Sequence, residues 1–177
     1  MPTIMSHPAP MIALAAGLGA SRISPRLAIA AIACAILPDL DVIGFKYGVA
    51  YANILGHRGL SHSLIFAIGI GICGFLSAPI LRCKRWLAFS VLFAAVASHI
   101  LLDAATNGGL GVAALWPFSE ERYFLPWRPI RVSPFSPRAF LGERGFTVLR
   151  SEFIWVWCPC VFAAILLKLT FRKKRSC

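Results

Sequence analysis

Seven side chains combine the types and spacing that metal chemistry needs: His7, Asp39, Asp41, His57, His62, His99 and Asp103. They are every histidine and every aspartate in the sequence. His99 and Asp103 are four apart in Ser98-His-Ile-Leu-Leu-Asp103, so a helix there puts both on one face, one turn apart. Asp39 and Asp41 follow Pro38, where a helix is expected to end and a loop can turn both carboxylates inward. His57 and His62 bracket Gly59, so that segment can bend to present both rings. Imidazole and carboxylate without thiolate suit Zn²⁺, with Mn²⁺ or Fe²⁺ as alternatives. The set exceeds the three or four ligands of one zinc, which allows two metals. A plainer reading exists for each residue, since Asp after a helix often caps it and a lone interfacial His is commonplace. Ionisable groups within membrane helices are rare and usually functional, however, and that tips the combined pattern toward a metal site.

The elements that must position these residues are apolar. Of 177 residues, 58% are hydrophobic and only 14% charged, and the mean hydropathy is +0.74. A soluble domain carries about 25% charged residues, so lipid must solvate much of this chain. Segments 63–81 and 86–105 reach the roughly 20 residues that a crossing takes. A third, 153–171, opens with Trp155 and Trp157, suited to an interface belt. Two shorter runs, 10–20 and 27–37, read as a hairpin turning at 21–25. The expectation is an all-α polytopic membrane protein, residues 1–177 forming one membrane-embedded domain, because an open strand cannot satisfy its backbone in lipid. Five crossings place His7, the 38–62 loop, the end of the fourth segment and the 106–151 loop on one face. All seven candidates then share that face, whichever side of the membrane it is.

Basic blocks at Arg22 with Arg26, at Arg82–Arg85 and at Arg172–Arg175 read as cytoplasmic topology signals and headgroup contacts. Six arginines within 106–151 count against that orientation. The net charge of +11 has its explanation in these blocks, and no nucleic-acid motif appears, so no nucleic-acid partner is expected. The bilayer and a small or lipid-linked anionic substrate are the expected partners; no pattern specifies an oligomeric state. The cysteines lie in apolar or basic segments without redox or zinc spacing and read as small hydrophobes. No basic n-region precedes the first apolar stretch, which is read as mature structure. Residues 106–151 contain Pro117, Pro126, Pro129, Pro134 and Pro137 and are expected to form an irregular cap with little long helix. Within it Arg122, Arg128 and Arg131 alternate with aromatics. They suit recognition of phosphate or carboxylate, or equally a cap resting on anionic headgroups.

The ordered motifs L-P-D-L-D, H-R-G-x-S-H-S, S-H-x-x-L-D-x-x-T and P-F-S…R-Y-F-x-P-W-R-P-I-x-V-S-P resemble the YdjM family over roughly residues 7–137. That resemblance implies a bacterial inner-membrane, metal-dependent hydrolase, in part linked to the SOS response. It carries the metal-ligand expectation onto Asp39, Asp41, His57, His62, His99 and Asp103, with His7 beside them. The leading functional expectation is hydrolysis of a phosphoester or lipid-linked substrate, with a non-ligating Asp39 or Asp41 as general base and Arg122, Arg128 or Arg131 neutralising the substrate. The alternative is a non-enzymatic metal-binding membrane protein, carrier or stress-response scaffold. Depth separates them: a site enclosed under the loops favours hydrolysis, and an aqueous path across the bilayer favours transport.

Overall fold

In a computed structural model of the chain, which describes residues 1–134 and 136–173, helix dominates. Among the described residues, pairing outside helices is limited to two isolated bridges, Thr106 with Ile130 and Val112 with Tyr123. The all-α expectation therefore holds. The helices are α1 (Ala9–Leu18), α2 (Pro25–Ile36), α3 (Leu64–Leu76), α4 (Ala78–Leu81), α5 (Arg85–Ala104), α6 (Pro137–Phe140), α7 (Glu143–Glu152) and α8 (Cys158–Lys173). Among the described residues, three stretches are long and apolar enough to cross a bilayer: Pro25–Tyr47, Arg85–Ala104 and Glu143–Phe171. Ala9–Leu18 and Leu64–Leu76 are shorter apolar helices.

Local sequence explains the boundaries. Ser24 accepts from the Leu27 amide and Pro25 opens α2, a pairing that starts a helix at small cost. Ser63 does the same for α3 through the Phe66 amide. α5 is the central helix, packed against α3 and α2, while α1 packs on α8. Its buried residues Ala88, Leu92, Ala95, Val96, His99, Ile100 and Asp103 recur every three to four positions. One inward stripe thus runs from apolar core straight into His99 and Asp103. In α2 the stripe Leu27, Ala31, Ala35 leads in the same way to Asp39. On α8 the side chains of Val161, Phe162, Ile165, Leu166 and Leu169 face outward, as a lipid-facing helix requires.

Two expectations are corrected. Pro38 does not end the helical path: Leu37–Tyr47 continues α2 as a tighter 3₁₀ helix. Pro38 sits in the first turn of that new helix, where its missing N–H costs nothing. The 106–151 cap is irregular only in its first part. α6 and α7 occupy its end, and α7 runs through a wide turn, Phe153–Trp157, into α8. Gly145, Val148 and Glu152 form the buried side of α7. That amphipathic spacing is helical although the segment is too polar to stand out as apolar. Of the basic blocks, those at 22–26 and 82–85 lie together, Arg26 donating to the Ile80 carbonyl at 3.0 Å. Positions 174 and 175 of the third lie outside the described residues.

Gly74 lets α3 approach α5: a Cβ there would meet the Ala88 carbonyl oxygen and Leu92 Cδ1, both at 2.9 Å. Gly74→Val should separate the two helices and lower stability by about 1–3 kcal/mol, read as a lower midpoint of thermal unfolding in detergent.

Candidate metal centre

All seven candidates converge where α2, α5 and the loops meet. His62 Nε2 lies 3.0 Å from His99 Nε2, 3.3 Å from Asp103 Oδ2 and 3.9 Å from Asp39 Oδ1. His99 Nε2 is 3.5 Å from Asp39 Oδ1. Ligand atoms of Asp39, His62, His99 and Asp103 all lie within 4.8 Å of one another, and the same holds for Asp41, His57 and His62. His62 belongs to both groups, one ring nitrogen facing each. His7 stands at the edge of the first group. Its Nε2 is 3.4 Å from Asp39 and 3.7 Å from Asp103, and its ring stacks on His99 at 3.7 Å.

The three carboxylates are not equivalent. Asp41 accepts from His57 Nδ1 at 2.7 Å, from the Arg58 amide at 3.1 Å and from the Ser61 hydroxyl at 2.7 Å, and faces His62 Nδ1 at 3.2 Å. A carboxylate so placed fixes the orientation of the rings it touches. Asp103 pairs with Arg58 Nε at 2.9 Å, and the Met1 amino nitrogen is 4.0 Å from its other oxygen. Asp39 has no such partner. Both of its oxygens are buried and, among the described residues, neither receives a hydrogen bond. His99 donates from Nδ1 to the Ala35 carbonyl at 2.8 Å, which leaves Nε2 as a lone pair aimed at His62.

Charge at the loop histidines follows from the same packing. Burial pushes His7 down to about 3, so it stays neutral. Burial also works against protonation of His62, but the Asp103 and Asp41 carboxylates outweigh it and raise that ring to about 9. Without a cation the centre therefore keeps a proton on His62 among carboxylates. A divalent cation fits this donor set: oxygens of Asp39 and nitrogens of His7 stand buried without hydrogen bonds, and all donors are nitrogen or oxygen. Binding would displace the His62 proton. Metal affinity should then fall as pH drops below about 9, checked by metal titration across pH with proton release measured alongside.

The expected arginines take three separate positions. Arg122 donates to the carbonyls of His57, Ala52 and Asn53 at 3.1, 3.2 and 3.1 Å, clasping the loop that carries His57. Arg128 stacks over Phe124 at 4.7 Å. Arg131 is exposed on the outer wall of the cap, beside Asn107 and Arg144. The arginine that does enter the centre is Arg58, completely buried. Besides Asp103 it donates to the Gly108 carbonyl and the Thr106 hydroxyl at 3.0 and 2.9 Å. Its φ of 67° is left-handed, rare for a non-glycine residue and a mark of a site held by its surroundings. Spacing could not single it out, although its place between His57 and Gly59 was visible.

Glu152 is a second residue that spacing did not reveal. Buried at the end of α7, it accepts from the Thr3 amide at 2.5 Å and from the Thr3 and Ser6 hydroxyls at 2.6 Å. Trp157 Nε1 adds a bond to Ser6 at 3.2 Å. This anchor holds residues 1–8 down and so delivers His7. Glu152→Ala should free that segment and cost about 1–3 kcal/mol through the donors left unpaired. Hydrogen exchange should quicken in residues 1–8 and stay slow in α3 and α5.

Fold and centre together define a multi-pass helical membrane protein with a buried His/Asp cluster that could hold a metal ion. The chain belongs to the YdjM inner membrane protein family, whose model matches residues 1–176. It is 46% identical over 165 residues to inner membrane protein YbcI of Escherichia coli (strain K12), covering 90% of this chain and 92% of that one. Its location is accordingly the inner membrane. No solved structure matches it.

Proposed function

We propose that this protein is a metal-dependent hydrolase that acts on a phosphoester, small or lipid-linked, at one face of the inner membrane. The observation that carries the reading is Asp39, a buried carboxylate surrounded by imidazoles and given no hydrogen-bond donor. Asp39, His62, His99 and Asp103 would hold the cation, and Asp41, His57 and His62 offer a second position. Zinc suits this set best, with manganese or iron as alternatives. A divalent cation there supplies Lewis acidity and a lowered pKa for a bound water. Asp41, already occupied by three donors, orients His57 and His62; whichever of Asp39 and Asp41 does not bind the cation would be the general base. His7, His57, His62, His99 and Asp103 are all fully covered. A carrier needs its groups on an aqueous path through the bilayer, so this enclosure favours hydrolysis over transport.

Asp39→Asn is the most direct test, because it removes a charge without taking a partner from any hydrogen bond. Purified protein should fold and insert normally while losing tenfold or more in bound metal, with turnover of generic phosphoesters lost as well. Wild-type metal content in this variant would defeat the metal assignment. Bound metal in the wild type with no turnover on phosphomonoesters, phosphodiesters or phospholipids would favour the scaffold reading.

Asp103→Asn should behave differently, since it strands the buried Arg58 guanidinium. Removing one partner of a buried pair costs about 3–5 kcal/mol, so this variant should lose both metal and thermal stability. Adding Arg58→Met to Asp103→Asn should restore part of the stability and none of the metal.

A further inference from the structure

On the outer wall of the cap, Arg131 and Arg144 line a cavity of about 270 Å³ together with Asn107, Val132, Thr147 and Val148. No carboxylate lines it. Among the described residues neither of these exposed guanidinium groups has a carboxylate within 4.0 Å, whereas the buried Arg58 is paired with Asp103. Asn107 accepts the Val132 amide on its side-chain oxygen at 3.0 Å, which leaves its NH₂ group as a further donor. Two guanidinium forks and an amide NH₂ around one cavity form a donor-rich surface without a carboxylate. That is the complement of a phosphate group, whose oxygens only accept.

The cavity's level in the membrane follows from its neighbours. The Arg131 amide donates to Ser151 Oγ at 3.0 Å, tying this strand of the cap to the end of α7. One turn beyond, Trp155 meets Trp127 edge to face at 4.7 Å, and both are well exposed. Exposed tryptophans at the start of a membrane helix mark the headgroup layer. Phe146 and Leu149 of α7 are exposed on the same stretch, as expected where an amphipathic turn rests on lipid. The cavity therefore opens at the depth of phospholipid phosphates. Behind it, Asn107 follows Thr106, whose hydroxyl accepts from Arg58 of the buried centre.

We propose that Arg131, Arg144 and Asn107 form a binding site for a phosphate group, presented by an anionic phospholipid at the membrane surface or by free phosphate. The site is separate from the His/Asp centre and stands whether or not that centre is hydrolytic. It replaces the sequence-based grouping of Arg131 with Arg122 and Arg128, which have other work.

The test uses full-length protein in detergent, titrated separately with phosphatidic acid, with phosphatidylcholine and with inorganic phosphate against chloride at matched ionic strength. Native mass spectrometry reads bound lipid and thermal unfolding reads stabilisation; metal content is measured in parallel. Retention of phosphatidic acid over phosphatidylcholine, weakened tenfold or more in the Arg131→Gln/Arg144→Gln double variant, supports the site. Stabilisation by phosphate alone, lost in the same variant, supports it with free phosphate as the source. Arg138→Gln, an exposed arginine elsewhere on the cap, controls for bulk charge and should bind like the wild type. Equal binding by the wild type and the double variant, or an equal loss in Arg138→Gln, overturns the proposal. So does wild-type protein that responds to neither probe, a result that needs no variant to fold. Metal content should be the same in all forms, so this outcome and that of the Asp39 experiment are read independently.

Discussion

An ionised carboxylate in a water-poor interior costs several kcal/mol unless a counter-charge or a set of donors meets it. Three carboxylates crowd into the centre of this protein, and two are provided for. Asp103 has Arg58, and Asp41 has an imidazole, an amide and a hydroxyl. Asp39 faces only the edges of His7, His62 and His99. Those rings cannot all answer it by taking protons, because burial keeps His7 neutral. The cluster thus carries more lone pairs than the hydrogen-bond donors around it reach. A divalent cation could fill them.

The surrounding structure is arranged so that this imbalance persists. Rigid helices bring in Asp39, His99 and Asp103 as continuations of their apolar stripes, which fixes their positions through core packing. The histidines of the N-terminal segment and the 57–62 loop need separate anchors, and each has one. Glu152 fastens residues 3–6, Arg122 clasps the carbonyls of 52–57, and Arg58 pins residues 106–108. Every one of these anchors is a charged group satisfied by several hydrogen bonds at once. Side chains held this firmly would lose little entropy on binding a cation, the condition for a well-defined site.

How far the sequence announced this depended on the kind of signal. The apolar segments were legible because lipid demands long uninterrupted runs, although the helical path of the second runs on to Tyr47 and that of the last begins at Glu143. Convergence of the His and Asp residues was legible too, since crossing number alone sends them to one end. Pro38 misled because its usual role as a helix terminator yields when the next turn tightens into a 3₁₀ helix that begins just before it. α7 was hidden because its register rests on Gly145, Val148 and Glu152, one small and one charged residue among only three. The importance of Arg58 and Glu152 lies in contacts 45 to 149 positions away along the chain, and no local pattern encodes contacts of that range.

The structure also bears on the orientation that the arginines of 106–151 brought into question. The rule that basic residues remain cytoplasmic describes charges in short loops and tails close to membrane helices. Arg22, Arg26, Arg82, Lys84 and Arg85 belong to tight turns of that kind, gathered at the end of the bundle away from the centre. The arginines of the cap are built into a folded layer. Arg122 gives its donors to backbone carbonyls, Arg128 lies on Phe124, and Arg131 and Arg144 share a cavity. Each of these four has a reason to be arginine that topology does not supply, whereas Arg138 and Arg150 are simply exposed. Once those uses are set aside, the remaining basic signal favours placing the tight turns in the cytoplasm and the His/Asp centre on the opposite side.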